Sequence, residues 1–306
     1  MTNSTEIIHS NDSTKEIIKE EIKKQPYWHV ISFFSTYLGS YLIPGVIFFI
    51  YILFLFIPNV LNTSNPITLF TELSSLFSLL IMPVVLIGCY LIHLFLVCLI
   101  VRFWWRLTEK NSPSKDGIIP RNIPSKTINY YHIRSFMIKY PKNSFTKGPF
   151  PWLTNWMYNF IGTNKIGKNT TIEEQVCGEK FIEVGDDCYI GVNSILTSHL
   201  VEGIFGNIAY FKIKLGNNVT FSAFGCVAPG TEVGDNSYFL PLASAGKHSV
   251  LKGNNYYFGI PLRRIFKRKI QEYLQLTPQD FHIDEEIKQK QQQSKIKREK
   301  SEIEGD

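Results

Sequence analysis

The sequence predicts an α + β membrane protein: two N-terminal transmembrane helices, then a coil of short strands, then a charged C-terminal tail. Three observations carry this. Residues 25–71 hold no Asp, Glu, Lys or Arg, and after Glu72 residues 73–101 are charge-free again. From Ile166 to Leu251 an apolar residue recurs at every sixth position, with one interruption. The net charge of +6 gathers toward the two ends, although charged residues are only 19% of the chain.

Residues 1–26 form a charged segment with Lys15, Lys19, Lys23 and Lys24. Residues 27–102 are the membrane domain. A spanning helix needs about 20 apolar residues, and 38–58 and 76–101 both meet that length. Pro44 and Pro83 lie inside them, which spanning helices tolerate. Residues 27–37 fit either an interfacial segment or a tilted extension of the first span. The first run starts too late and is too long for a cleaved signal peptide. Arg102, Arg106 and Lys110 follow the second span, while the loop 59–75 has no Lys or Arg. Both termini and everything after the spans are therefore expected on the cytosolic side, in an integral membrane protein. Trp28, Trp104 and Trp105 stand where an aromatic belt would sit. Asn62-Thr63-Ser64 is a formal glycosylation sequon too near the bilayer to expect use. His93 lies within the second span. That position marks a candidate site by default, but a lone histidine near a span's end also fits a neutral, packed ring.

A basic margin beside apolar segments favours a membrane surface over nucleic acid, and no nucleic-acid module motif is present. The five cysteines, Cys89, Cys98, Cys177, Cys188 and Cys226, fit neither a disulfide framework nor a CxxC metal site. They read as reduced thiols.

Residues 103–160 form an aromatic, basic connector. Residues 111–126 (NSPSKDGIIPRNIPSK) read as a loop. Residues 128–141 (INYYHIRSFMIKYP) fit a strand or an amphipathic helix on the membrane surface, and the pattern does not choose.

The repeat occupies 161–265. Ile166, Ile172, Val184, Ile190 and Leu196 are multiples of six apart, and position 178 is the one miss, a glycine. After a break, Leu215, Phe221, Val227, Val233, Phe239, Ala245 and Leu251 resume the beat. Gly often follows the apolar residue, then Asn or Asp two places on, as in IGKN, VGDD, LGNN and VGDN. A helix wants a period of 3.6 and a strand a period of 2. A strict six fits a short strand plus a corner, three to a coil, with Gly and Asn at corners where φ > 0 is needed. Each coil stacks on the last, because none buries its core alone. Residues 266–306 are a charged tail, helical or disordered, with little to bury.

These hexads are the signature of the left-handed parallel β-helix, and the chain here resembles the hexapeptide-repeat acyltransferase family. The likeness covers about a third of the chain. A nearer resemblance is to membrane-linked hexapeptide modules of nonribosomal-peptide-synthetase-like enzymes. There a His-Leu step opens the interrupting loop, as Ser198-His199-Leu200 does here. The adenylation and carrier parts of those enzymes are missing from this chain.

The resemblance implies acyl transfer from a thioester, acyl-CoA or acetyl-CoA, to a hydroxyl or amine of a small-molecule or lipid-linked acceptor. It makes His199, in the long insertion 197–214, the general base, with Glu202 placed to orient its ring. It puts the donor at Lys247, His248, Gly259, Pro261, Arg263 and Arg264. YYFGIPLRRI resembles the family's coil-closing Gly-x-Pro-Ala, with Leu262 in place of the Ala. The resemblance also implies a homotrimer with sites between subunits, and no metal is expected. Two rivals remain open: a non-catalytic trimeric scaffold or binding protein, and an amide-forming module fed by a carrier-protein-bound donor.

Overall fold

The computed structural model describes residues 5–8, 17–20, 26–62, 65, 67–121, 123, 125–173, 178–203 and 206–266, with scattered positions from 270 to 293. Most of the tail after Phe266 lies outside the described residues, as do Cys177, Lys15, Lys23, Lys24 and the sequon's Thr63 and Ser64.

Helix α1 (Pro26–Tyr37) passes through a 3₁₀ turn (Gly39–Tyr41) into α2 (Leu42–Tyr51), then into a π-helical stretch (Ile52–Leu61) that carries Pro58. Residues 27–37 thus extend the first apolar run. Helix α3 (Leu73–Asn111) is 39 residues long. Tyr27–Leu61 and Leu73–Asn111 are both long and apolar enough to cross a membrane. Their outer faces stay bare: Leu42 is 70% exposed, Phe54 72% and Leu73 82%. Two hydroxyls cross between them to backbone carbonyls. Tyr51 Oη donates to Ser78 O at 2.7 Å, and Ser75 Oγ donates to Asn59 O at 2.6 Å. His93 is buried, stacked on Tyr41 at 3.9 Å, with Nε2 2.9 Å from Tyr140 Oη.

At 1.5 Å per residue α3 spans about 58 Å, nearly twice a bilayer core. Its C-terminal half is packed into protein from Leu94 on: Leu94, Val97, Cys98, Val101, Trp104 and Trp105 are all buried. The aromatic-belt expectation therefore fails for Trp104 and Trp105, because Trp28 and Ser35 of α1 pack on Trp104 and Arg134 lies over Trp105. Helix α4 (Lys126–Thr146) resolves the ambiguous connector segment. Ser125 Oγ caps it, accepting from Ile128 N at 3.2 Å, and Ile133, Met137 and Ile138 bury one face against α3. Helix α5 (Thr154–Ile161) stops at Gly162, whose φ of 84° ends the helix.

The repeat forms three parallel sheets. Glu183 pairs with Lys214, Lys214 with Glu232, and Glu232 with Val250 on one face. Tyr189, Thr220, Tyr238 and Tyr256 pair in turn on the second, and Ile195, Cys226 and Ser244 on the third. The chain visits the faces in rotation, so this is a three-sided coil. Every hexad residue from Ile166 to Ala245 that is not glycine is buried, and Leu251 is half-buried. Burying each such large side chain is worth about 1.5–3 kcal/mol. Inside, Phe221 stacks on Phe239 at 3.9 Å and Phe239 on Tyr257 at 5.1 Å.

The corners bear out the expectation for Asn and Asp but not for the glycine. Positive φ falls three places after the apolar residue, at Asn169, Asp187, Asn193, Asn218, Asn236 and Asn254. The glycine directly after the apolar residue serves close approach instead. A Cβ on Gly167 or Gly185 would fall onto the backbone of Gly185 or Gly216 in the next coil.

The ends of the coil are closed. Asn159 on α5 donates to Ile166 O at 2.8 Å and accepts from Ile166 N at 3.0 Å, covering the first edge. At the other end Arg263–Ile265 folds back antiparallel on Tyr256–Phe258. One apolar core runs from Leu94 on α3 through α4 and α5 into the coil.

Candidate functional site

The insertion 197–214 is not an open loop. Strands β2 (His199–Glu202) and β3 (Asn207–Tyr210) form an antiparallel hairpin, with His199 opposite Tyr210. A strand from the expected connector loop, β1 (Gly117–Ile119), pairs on the other side of β3. Between the hairpin strands Gly203 and Gly206 adopt φ of 71° and 62°, which an L-residue takes only with strain. Ile119, Ile128, Tyr131, Ile208 and Tyr210 make a small core that fastens the hairpin to α4. Beneath it a polar network ties three elements. Arg134, buried on α4, donates to Glu109 Oε1 and to Ser112 O, both at 2.8 Å. Lys180 of the coil meets Glu109 Oε2 at 2.7 Å.

This arrangement sets His199 at the seam between coil, α4 and α1. Half-buried, it lines a cavity of about 460 Å³ with Tyr131, His132, Ser135 and Lys139 of α4, Arg121, and His29 of α1. Burial, then the charge of Lys142, holds its imidazole below the ordinary histidine range. The ring is thus neutral at pH 7, the form a proton acceptor needs. Its Nδ1 is buried and has no hydrogen-bond partner among the described residues.

Glu202 does not orient that ring. In an extended strand, residues three apart point to opposite faces, and the Glu202 carboxylate lies 2.5 Å from Lys247 Nζ. The expected donor residues separate into two places. Lys247 and His248 stand beside the hairpin: His248 occupies a corner at φ 53°, edge-on to Phe211 at 4.5 Å. Gly259 (φ 84°), exposed Pro261, Arg263 and Arg264 sit where the coil closes. Both arginines line a second cavity there, of about 420 Å³, with Phe258 and Leu240. Neither arginine lines the His199 cavity.

The sequence reading missed the cavity residues Tyr131, Arg121 and His29, and one more behind them. Glu179 is buried behind the cavity wall, where its carboxyl and the Tyr131 hydroxyl act on each other. Burial, only partly offset by Lys142, pushes the carboxyl up to about 7. The available signal was position: Glu179 follows Gly178, the single miss in the hexads. Among the described residues no group of three or more His, Cys, Asp or Glu converges as a metal site.

No family model matches the chain, and no curated protein matches it. Several solved structures are similar. One is a hexapeptide-repeat-containing acetyltransferase of Vibrio cholerae complexed with acetyl coenzyme A. It is 14% identical, with a TM-score of 0.36, over 41% of this chain and 81% of that one. Another is an N-acyltransferase of Bacillus cereus in complex with dTDP and 3-hydroxybutyryl-CoA, at 19% identity and a TM-score of 0.27 over 38% and 79%. A galactoside acetyltransferase in complex with coenzyme A is 18% identical, with a TM-score of 0.28 over 55% and 81%.

Proposed function

We propose that this protein is a membrane-attached acyltransferase that moves an acyl group from acyl-CoA to a hydroxyl or amine, with His199 as general base. The observation that carries the reading is the place of His199. It opens the segment that interrupts the hexads, and it lines a cavity where coil, α4 and the first apolar helix meet. The hexad pattern supplies the class, and in this reading the three-sided coil is the left-handed β-helix of that class.

In the proposed reaction the acceptor O–H or N–H gives its proton to the His199 ring. The acceptor atom attacks the thioester carbonyl carbon. The C–S bond then breaks, and the CoA sulfur leaves with the proton returned from the imidazolium. The lowered basicity of His199 keeps the acceptor form populated at neutral pH. Arg263 and Arg264 would hold phosphates of the donor.

The finer expectations belong to the same proposal. Tyr27–Leu61 and Leu73–Asn111 cross a membrane, with coil and termini on the cytosolic side. The domains follow the boundaries given above, with α3 continuing past residue 102 through the start of the connector to Asn111. A trimer is supported by one edge of the coil. There Val192, Phe224 and Leu242 stack in successive coils through Phe224 N to Val192 O (2.9 Å) and Leu242 N to Ala223 O (3.1 Å), and all three side chains are exposed. A closed ring with sites at subunit boundaries would also bring the separated donor and base residues together.

The test is a thermal-shift titration of the detergent-solubilised full chain with CoA and acetyl-CoA. Saturating stabilisation of a few degrees, lost in Arg263→Ala/Arg264→Ala, is the expected result. No shift with either ligand would remove the acyl-CoA reading and favour a carrier-bound donor or a scaffold.

A further inference from the structure

The His199 cavity has a sign and a direction. Arg121 and Lys139 line it, Lys142 acts on its histidine, and no Asp or Glu is among its lining residues. Among the described residues neither Arg121 nor Lys139 belongs to an ion pair. Glu179, behind Tyr131, is pushed up to about 7 and so carries less than a full charge at neutral pH. His29, His132 and His199 add N–H donors whether or not they are protonated. Arg121 and His29 both act electrostatically on His132, so these groups converge.

Part of the lining is aromatic. Phe136 lines the cavity and meets Phe33 of α1 at 6.0 Å, Phe33 stacks on Tyr37 at 4.4 Å, and Tyr37 meets Tyr140 at 4.3 Å. An aromatic path therefore leads from the basic pocket along the first apolar helix. A pocket lined by basic groups and continuous with an aromatic path matches a ligand with an anionic head and an apolar tail.

We propose that this cavity binds a phosphate group, carried by an amphiphile whose tail lies along Phe136 and Phe33. Arg121 supplies a planar fork for two phosphate oxygens, and Lys139 a point charge. In the acyl-transfer reading, on which this identification of a substrate class rests, the phosphate-bearing molecule is the acceptor. The phosphate anchors it so that a hydroxyl or amine nearby faces His199.

Binding is measured without any acyl donor, so it can fail or succeed independently of acyl transfer. The full chain in detergent is titrated with oleoyl lysophosphatidic acid, with monooleoylglycerol (same tail, no phosphate) and with glycerol 3-phosphate (same phosphate, no tail). Arg121→Gln/Lys139→Gln is run beside it. Both positions are exposed, so an unchanged melting temperature without ligand checks the fold. The expected result is saturable binding of lysophosphatidic acid, at least tenfold tighter than monooleoylglycerol, and weakened at least tenfold in the double variant. Glycerol 3-phosphate binding as tightly as the lipid, and lost in the same variant, supports the phosphate site and makes the carrier soluble. Lysophosphatidic acid binding unchanged in the variant would overturn the proposal. So would a variant that loses CoA affinity alone, which would give the cavity to the donor.

Discussion

The His199 ring stands edge-on to the Tyr131 ring, 6.0 Å between centroids and 73° between planes. That contact joins a residue of the coil's insertion to one of a helix from the segment between the long apolar helices and the coil. Neither element builds the cavity alone. The geometry makes α4 part of the site, and Tyr131 connects His199 on one side with Glu179 on the other.

Glu179 gives a pH signature. Its folded-state carboxyl titrates near 7, above the ordinary 4.5. The folded protein therefore holds a proton that the unfolded chain releases between those values, and stability falls as pH rises through that window. Glu179→Gln should be the more stable protein at pH 7.5, by up to about 3 kcal/mol, and should match wild type near pH 4.5. Urea melts at both pH values check this. An equal difference at both would show that the carboxyl is not the cause.

Glu202→Gln should change little. Its partner Lys247 is 31% exposed and its own side chain 37%, and such pairs contribute at most about 1 kcal/mol. Acyl transfer is expected within about twofold of wild type if His199 acts without it. A loss near that of His199→Gln, measured in the same assay, would restore the orienting role.

Two glycines of the coil make a matched pair. A Cβ on Gly185 meets the Gly216 carbonyl at 2.5 Å, whereas a Cβ on Gly246 has nothing nearer than Ser249 Oγ at 3.8 Å. Gly185→Ala should cost roughly 1–3 kcal/mol, as overpacking does, and Gly246→Ala should be near neutral. Denaturant midpoints separate them.

Arg134→Ala should be among the most damaging changes outside the coil. It leaves Glu109 half-paired and Ser112 O without its donor. Removing one partner of a buried pair costs about 3–5 kcal/mol. Lys180→Ala, at a side chain 22% exposed, should cost clearly less. Unfolding free energies by urea titration rank the two.

The coil was legible because its period is imposed by geometry that every turn repeats. Ile166, Val184, Leu215 and Val233 all face one narrow core. The two long apolar helices were legible from missing charge. The hairpin left a weaker trace, HLVE and NIAY around Gly203 and Gly206, in strands too short for alternation to declare itself. Helix α4 was ambiguous because it is apolar on more than one side: Ile133 and Met137 face α3, while Ile128 and Tyr131 face the hairpin. The cavity followed α4 into obscurity. His199 was found by its position at the break, but Tyr131, Arg121 and His29 are distant in sequence and meet it only through tertiary packing.

The central claim is that His199 takes the acceptor's proton in acyl transfer. The most direct measurement places the full chain in nanodiscs of a total lipid extract and supplies [¹⁴C]acetyl-CoA. Label in the lipid fraction and free CoA thiol are followed together, for wild type, His199→Gln and Arg121→Gln/Lys139→Gln. The account predicts equal rates of label transfer and thiol release in wild type, and a loss of at least 100-fold in His199→Gln. Its acid limb should lie below pH 6.5, because burial and Lys142 lower the His199 basicity. Label transfer or thiol release in His199→Gln at the wild-type rate would contradict it.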